Sequence, residues 1–307
     1  MNGNRATTIR LAGVGLALAL LAGAPRVGAG ATALRWKFQP GEVLRYESAQ
    51  VTESKIKEPN GPEVGTTLTL TMDLTWTVRE VDPQGVASIT QTIDRIRTSA
   101  KVPNGQFAFD SKESRDATSP AGPLFKMLVG AEIAFKINPQ GELSDIKLGD
   151  KLLASLKGDD QPAGAQGPYS EVGLKNMLVQ MGVVLAGKEV NPGDTWVRKL
   201  DIPSGENGET RSVEQTYTLA APEAGARPLE TINMATKFAP PVVDPNVPVT
   251  IKVQEATGRF RFDNAAGRID SSQVTELVDL SAQFQGKEIS QSNQTTTTLT
   301  LQRDKAP

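Results

Sequence analysis

The sequence predicts a mainly-β (α+β) fold: two similar antiparallel, curved β-sheet halves, with a few short helices between and beside them. Three observations predict it. From Leu68 to Val78 every even position is apolar and every odd one polar, the period of a strand with one dry face. Turn signals of the Pro-Asn/Gln-Gly type recur at Pro59-Asn60-Gly61, Pro83-Gln84-Gly85, Pro103-Asn104-Gly105 and Pro139-Gln140-Gly141. Proline presets the first turn position and glycine takes the left-handed one, so alternating segments between such turns read as a meander. The opening Phe38-Gln39-Pro40-Gly41-Glu42-Val43-Leu44 also returns as Val190-Asn191-Pro192-Gly193-Asp194-Thr195-Trp196.

In order, residues 1–33 read as a secretory signal. Arg5 and Arg10 precede an apolar run from Leu11 to Gly23, and Ala29-Gly30-Ala31 and Ala31-Thr32-Ala33 are small-residue cleavage patterns. The run is short of the ~20 residues a bilayer span needs. The expected product is exported, periplasmic or extracellular, with no transmembrane segment after cleavage. Lipidation at a leader cysteine is excluded, because the chain has no cysteine.

Residues 34–156 form the first β-rich half. Leu34, Trp36 and Phe38 alternate with Arg35 and Lys37 as a strand, and Leu44 and Tyr46 open another running to about Ile56. The long strand follows. Further strands are expected at about 85–101, 106–111, 131–137 and 142–146, with short helices near 123–129 and 150–156. Residues 157–169, rich in glycine and proline, read as a flexible linker.

Residues 170–307 form a helix and the second β-rich half. Ser170 caps a helix expected to reach about Ala186, with Leu174, Met177, Leu178, Met181, Val184 and Leu185 at helical spacing. Strands are expected at 211–219, 229–238, 250–256, 258–262, about 268–284 and 291–301. Pro240, Pro241, Pro245 and Pro248 make a stiff loop. Thr295 to Thr298 is a run of threonines, but Leu299 and Leu301 continue the alternation, so it reads as a strand rather than a tail. Phe135 to Leu143 and Phe260 to Ile269 close the halves alike, which supports an internal duplication.

Composition removes whole classes of chemistry. There is no histidine and no cysteine. A Ser-His-Asp triad, a cysteine nucleophile, a histidine-ligated haem and a usual structural zinc are all excluded. The formal net charge is −2 with the leader and more negative by Arg5, Arg10 and Arg26 without it. That argues against nucleic acid as a partner. No Gly-rich phosphate cradle precedes a helix.

Several constellations have both a chemical and a structural reading. Glu42 and Asp194, equivalent after Pro-Gly, would be the carboxylate pair of a hydrolase; acids there more often cap turns. Asp159-Asp160 lacks further acids at calcium-loop spacing. Lys252, Arg259, Arg261 and Arg268 could meet an anion, or form a solvated strand face. Trp36, Trp76 and Trp196 could stack sugars, or anchor a core. No catalytic residue, metal ligand or cofactor is assigned. The candidate ligand-binding face is apolar: Leu68, Leu70, Met72, Leu74 and Trp76.

The Pro-Gly-acid opening of each half, the Phe260-x-Phe262-Asp263-x-x-x-Gly267-Arg268-Ile269 motif and the threonine-rich last strand resemble a family of exported bacterial β-rich proteins carrying a domain of unknown function. The resemblance covers Leu34 to about Gln302 and implies no catalytic residue. The layout is also similar to periplasmic lipoprotein carriers, open sheets with helices over the concave face. The expectation is a non-catalytic, exported binding or envelope-associated protein that carries a hydrophobic small molecule or lipid. A structural or protein-interaction module with an envelope-protein partner is the second reading, and a carboxylate hydrolase the third.

Overall fold

The computed structural model describes residues 30–58, 61–113, 122–157, 170–203, 210–222, 228–238, 249–284 and 287–303. The expected leader up to residue 29, the expected linker at 158–169 with Asp159-Asp160, the expected turn at Pro59-Asn60 and the expected proline loop at 239–248 lie outside them.

Among the described residues the first half supplies β1 (Thr32–Ala33), β2 (Val43–Lys57), β3 (Glu63–Val81), β4 (Ala87–Val102), β5 (Gly105–Asp110), α1 (Gly122–Leu128), β6 (Glu132–Ile137), β7 (Leu143–Leu148) and α2 (Asp150–Lys157). The second supplies α3 (Glu171–Met181), β8 (Glu189–Val190), β9 (Thr195–Pro203), β10 (Thr210–Leu219), β11 (Glu230–Phe238), β12 (Val249–Asp263), β13 (Arg268–Phe284) and β14 (Lys287–Gln302). The mainly-β antiparallel class holds. The two halves are joined edge to edge in one sheet, ordered β7-β6-β4-β3-β2-β14-β13-β12-β11-β10-β9, with β5 also on β4. The join is β14 on β2, from Ser290 opposite Lys57 to Gln302 opposite Arg45. The threonine run therefore lies in a central strand. β-Branched side chains fit a pleated surface paired on both edges.

One face, here the inner face, carries the core. Strand β3 is 19 residues long, roughly 60 Å, and presents Leu70, Met72, Leu74 and Val78 to it. Strand β4 would lose this alternation, because Ile93 and Ile96 are three apart. Strand β4 bulges at the odd residue, Asp94, opposite Asp73 and Leu74 of β3. Ile89 and Ile93 before it and Ile96 and Ala100 after it all stay buried. Asp94 accepts hydrogen bonds from Thr75 Oγ1 at 2.5 Å and Thr92 Oγ1 at 3.1 Å on the other face.

Two clusters fill the inner face. In one, Leu44, Tyr46, Leu70, Met72 and Leu74 pack with Leu124, Phe125 and Leu128 of α1, Leu152 and Leu156 of α2, and Leu174 and Leu178 of α3. In the other, Val78, Ile89 and Phe135 from one flank of the sheet meet Trp196, Tyr217, Ile232 and Phe260 from the other flank. The sheet must curve around this face to bring its flanks together.

Leu34 to Phe38 is not a sheet strand. It is an extended clasp that closes this second cluster. Trp36 N–H donates to Pro139 O and Lys37 N–H to Gly267 O, both at 2.9 Å. These acceptors belong to the two turns that the sequence matches as the closing landmarks of the halves. Both turns need glycine: Gly141 has φ +91° and Gly267 φ +66°. A Cβ would lie 2.5 Å from Trp36 Nε1 at Gly141, and 2.4 Å from Lys37 Cβ at Gly267. The opening turns repeat as closely. Gly41 N–H donates to Val78 O and Val78 N–H to Glu42 O; Gly193 N–H donates to Leu219 O and Leu219 N–H to Asp194 O.

Helix α3 begins at the expected cap, with Ser170 Oγ accepting from Gly173 N–H at 3.1 Å. It stops at Met181 rather than Ala186, because Gly182 is extended. Val183, Val184 and Leu185 are all buried. Leu185 N–H donates to Gln140 O, and Val184 O accepts from Trp196 Nε1 at 2.6 Å. A helix would point these three residues in different directions; an extended segment wedged into the core buries them all.

Candidate ligand-binding face

The structure divides the predicted apolar face. Leu70 (7% exposed), Met72 and Leu74 lie under the helices, in the core. Trp76 is half-buried among Tyr46, Trp36 and Phe135, with its Nε1 donating to Gln91 Oε1 at 2.8 Å. These four residues build the fold. Leu68 is different: it is 40% exposed and belongs to neither core cluster.

Beyond Leu70 the long strands continue past the helices. Strand register identifies what shares the inner face with Leu68. Across β3, β2, β14, β13 and β12 runs the row Leu68, Thr52, Thr295, Glu276, Ala256. The next row out is Thr66, Ser54, Asn293, Val278, Gln254, and the one after it Val64, Ile56, Gln291, Leu280, Ile251. Val64 is 38% exposed and Ile56 37%. Apolar side chains thus flank a polar strip. Within the strip, Thr52 and Thr295 hydroxyls are 3.2 Å apart, Ser54 Oγ donates to Asn293 Oδ1 at 2.6 Å, and Gln291 Nε2 donates to the same oxygen at 2.9 Å. Gln254 Nε2 donates to Glu276 Oε1 at 3.1 Å. Sequence reasoning took only β3 and missed the partners from β2, β12, β13 and β14, since register across distant strands is not written locally.

The other candidates are brought together differently. Glu42 and Asp194 each cap their own turn, accepting from Gln39 N–H at 3.2 Å and Asn191 N–H at 2.8 Å. Glu42 also pairs with Arg268 at 2.5 Å. Lys252 pairs with Glu288 at 2.7 Å. The basic set is therefore divided: Arg268 opens β13 and is held by Glu42, and Arg259 and Arg261 lie on the outer face by register. Trp36 and Trp196 are buried. Among the described residues no group of three acidic side chains is placed to hold a metal ion, and no helix is long and apolar enough to cross a membrane.

The most deeply perturbed ionisable groups support the sheet. Burial pushes the Tyr46 and Tyr217 phenols above their ordinary range. Tyr46 donates to Ile269 O at 3.3 Å, and Tyr217 to Gln215 Oε1 at 2.9 Å. On the outer face a hydrogen bond from Arg95 holds the Asp110 carboxyl down at about 2.

Comparison with known proteins agrees with this architecture. Residues 84–231 match the model of a family of unknown function (DUF6263). The match includes Pro192-Gly193 and leaves out the Pro40-Gly41 and Phe260–Ile269 motifs. No curated protein matches the chain. A solved structure described as "Lipid-protein interactions in lipovitellin" has a TM-score of 0.52 and 16% identity, over 88% of this chain and 26% of that one. The chain spans about a quarter of that protein's length, and the likeness is one of fold. DynF from the dynemicin biosynthesis pathway of Micromonospora chersina has a TM-score of 0.24 at 8% identity over 93% of each chain, too low to carry an argument.

Proposed function

We propose that this protein is a non-catalytic, exported binding protein that takes up a hydrophobic ligand, a lipid in the first instance, on the inner sheet face around Leu68, Val64 and Ile56. One observation carries the reading: the apolar alternation of β3 runs on beyond the helices that cover its other end. Exposed apolar surface gains about 25 cal/mol per Å² when a ligand removes it from water. Exposed apolar side chains grouped on a face otherwise used for packing are a binding signal. The sheet likeness to lipovitellin, whose description names lipid-protein interactions, supports the same reading. The leader supports export. Glu42 and Asp194 are engaged in turns, so no catalytic residue is proposed.

The neutral fluorescent probe N-phenyl-1-naphthylamine tests it. The wild type binds the probe with enhanced emission, and Leu68→Asp loses that binding while its melting temperature stays within a few degrees. Unchanged probe binding in Leu68→Asp overturns the assignment. A second reading, a module that engages another envelope protein, is favoured by edge strand β9, where Val197 is 53% exposed.

A further inference from the structure

The polar strip constrains what kind of amphiphile the face accepts. Glu276 stands on the inner face in the row of Leu68, separated from it by Thr52 and Thr295. Three strand spacings are roughly 15 Å along the sheet. No ion pair to Glu276 occurs among the described residues; its described partner is the Gln254 amide. Continuing along the row, Ala256 is followed by Thr236, Gln215 and Arg198. Thr236 is 7% exposed, and its hydroxyl has no hydrogen-bond partner among the described residues. Arg198 lies four strands from Glu276, roughly 19 Å along the sheet. Its Nη1 is turned to Val179 O at 3.3 Å. The local charge beside the apolar strip is therefore negative, and the remaining strip consists of hydroxyls and amides.

Resting on the binding reading above, we propose that the ligand is a single-chain amphiphile whose head donates hydrogen bonds and is cationic or neutral, an amine or an alcohol. Its head sits at Glu276 and its chain runs towards Leu68. A carboxylate or phosphate head would face Glu276 as a like charge, with no lysine or arginine side chain placed beside it by register. An ammonium head makes a charge-assisted bond there, and the strip's hydroxyls accept from it or from an alcohol.

Competition against N-phenyl-1-naphthylamine at neutral pH tests the proposal, with dodecylamine, dodecanol and dodecanoate as displacers. In the wild type dodecylamine displaces the probe at about tenfold lower concentration than dodecanoate, the margin of one charge-assisted hydrogen bond, with dodecanol between them. Glu276→Gln, with each displacer read against the variant's own affinity for the probe, brings amine and carboxylate within about threefold of each other. Glu53→Gln, on the outer face, removes the same charge and leaves the preference intact. Equal displacement by amine and carboxylate in the wild type overturns the proposal. So does a preference that survives Glu276→Gln, or one that Glu53→Gln also abolishes. If the wild type binds no probe at all, the hydrophobic-ligand reading fails, and this inference with it. If the wild type binds the probe but amine and carboxylate displace it equally, this inference fails alone and the hydrophobic-ligand reading stands.

Discussion

Single residues carry the clasp. Gly41 and Gly267 both have positive φ, at +80° and +66°. A Cβ at Gly41 meets nothing within 4 Å, whereas one at Gly267 meets Lys37 Cβ, Cγ and backbone N at 2.4–2.5 Å. Gly41→Ala should therefore cost only the left-handed penalty of about 1–2 kcal/mol. Gly267→Ala adds a backbone clash that only displacement of the clasp can relieve. Urea titration is expected to show a clearly larger loss for Gly267→Ala; equal losses would mean that residues 34–38 do not hold the turn as described. Gly267 was legible as a turn glycine, from its place in Asp263-x-x-x-Gly267. What presses on it was not, because Lys37 lies 230 positions away in the chain.

At the scale of elements, β3 shows how one pattern can serve two ends. Its even positions alternate without interruption, yet Leu74 is 3% exposed and Leu68 is 40%. The difference lies in α1, α2 and α3, which cover one end of the strand. Leu74→Ala leaves a cavity and should cost about 2–5 kcal/mol. Leu68→Ala loses little packing and should cost under about 1 kcal/mol. Chemical denaturation of the two variants checks this; comparable losses would show Leu68 to be core, and the binding face with it. Helix α3 makes the complementary point. Helical spacing identified Leu174 and Leu178 correctly and overran at Val184 and Leu185. Those residues are indeed buried, but as an extended wedge, whose geometry is set by Gln140 and Trp196.

The titration of the whole molecule follows from what it lacks. With no histidine or cysteine, nothing in the usual set of side chains changes charge between the carboxylates and the lysines and tyrosines. At the alkaline end, burial holds Tyr46 and Tyr217 neutral in the folded state. Unfolded, each phenol releases its proton near pH 10. Above that pH the unfolded state binds fewer protons than the native one, so stability falls as pH rises. At the acid end the sign reverses. Asp110 is depressed to about 2 by the Arg95 hydrogen bond, so its contribution is complete above the ordinary carboxylate range and is lost as pH falls towards 2. The expected melting profile is flat from roughly pH 6 to 9 and declines above about 10. A sharp change inside the plateau would contradict it.

The sequence by itself determined the class, most of the strands, the turn glycines and the excluded chemistries. All of these follow from local rules: a period of two, the left-handed tolerance of glycine, and the absence of a residue type. The Pro-Gly turns of the two halves were also legible as a pair, and their hydrogen bonds do match. Only the tertiary structure decided that the halves share one sheet, that the threonine run lies at its centre, and that residues 34–38 are a clasp. It also decided which part of the apolar face stays uncovered. Those outcomes depend on which strands become neighbours: β14 meets β2 across more than two hundred residues, and no local pattern in either strand names the other. The same pairing sets Glu276 in line with Leu68, and so turns an apolar stripe on one strand into an amphipathic surface.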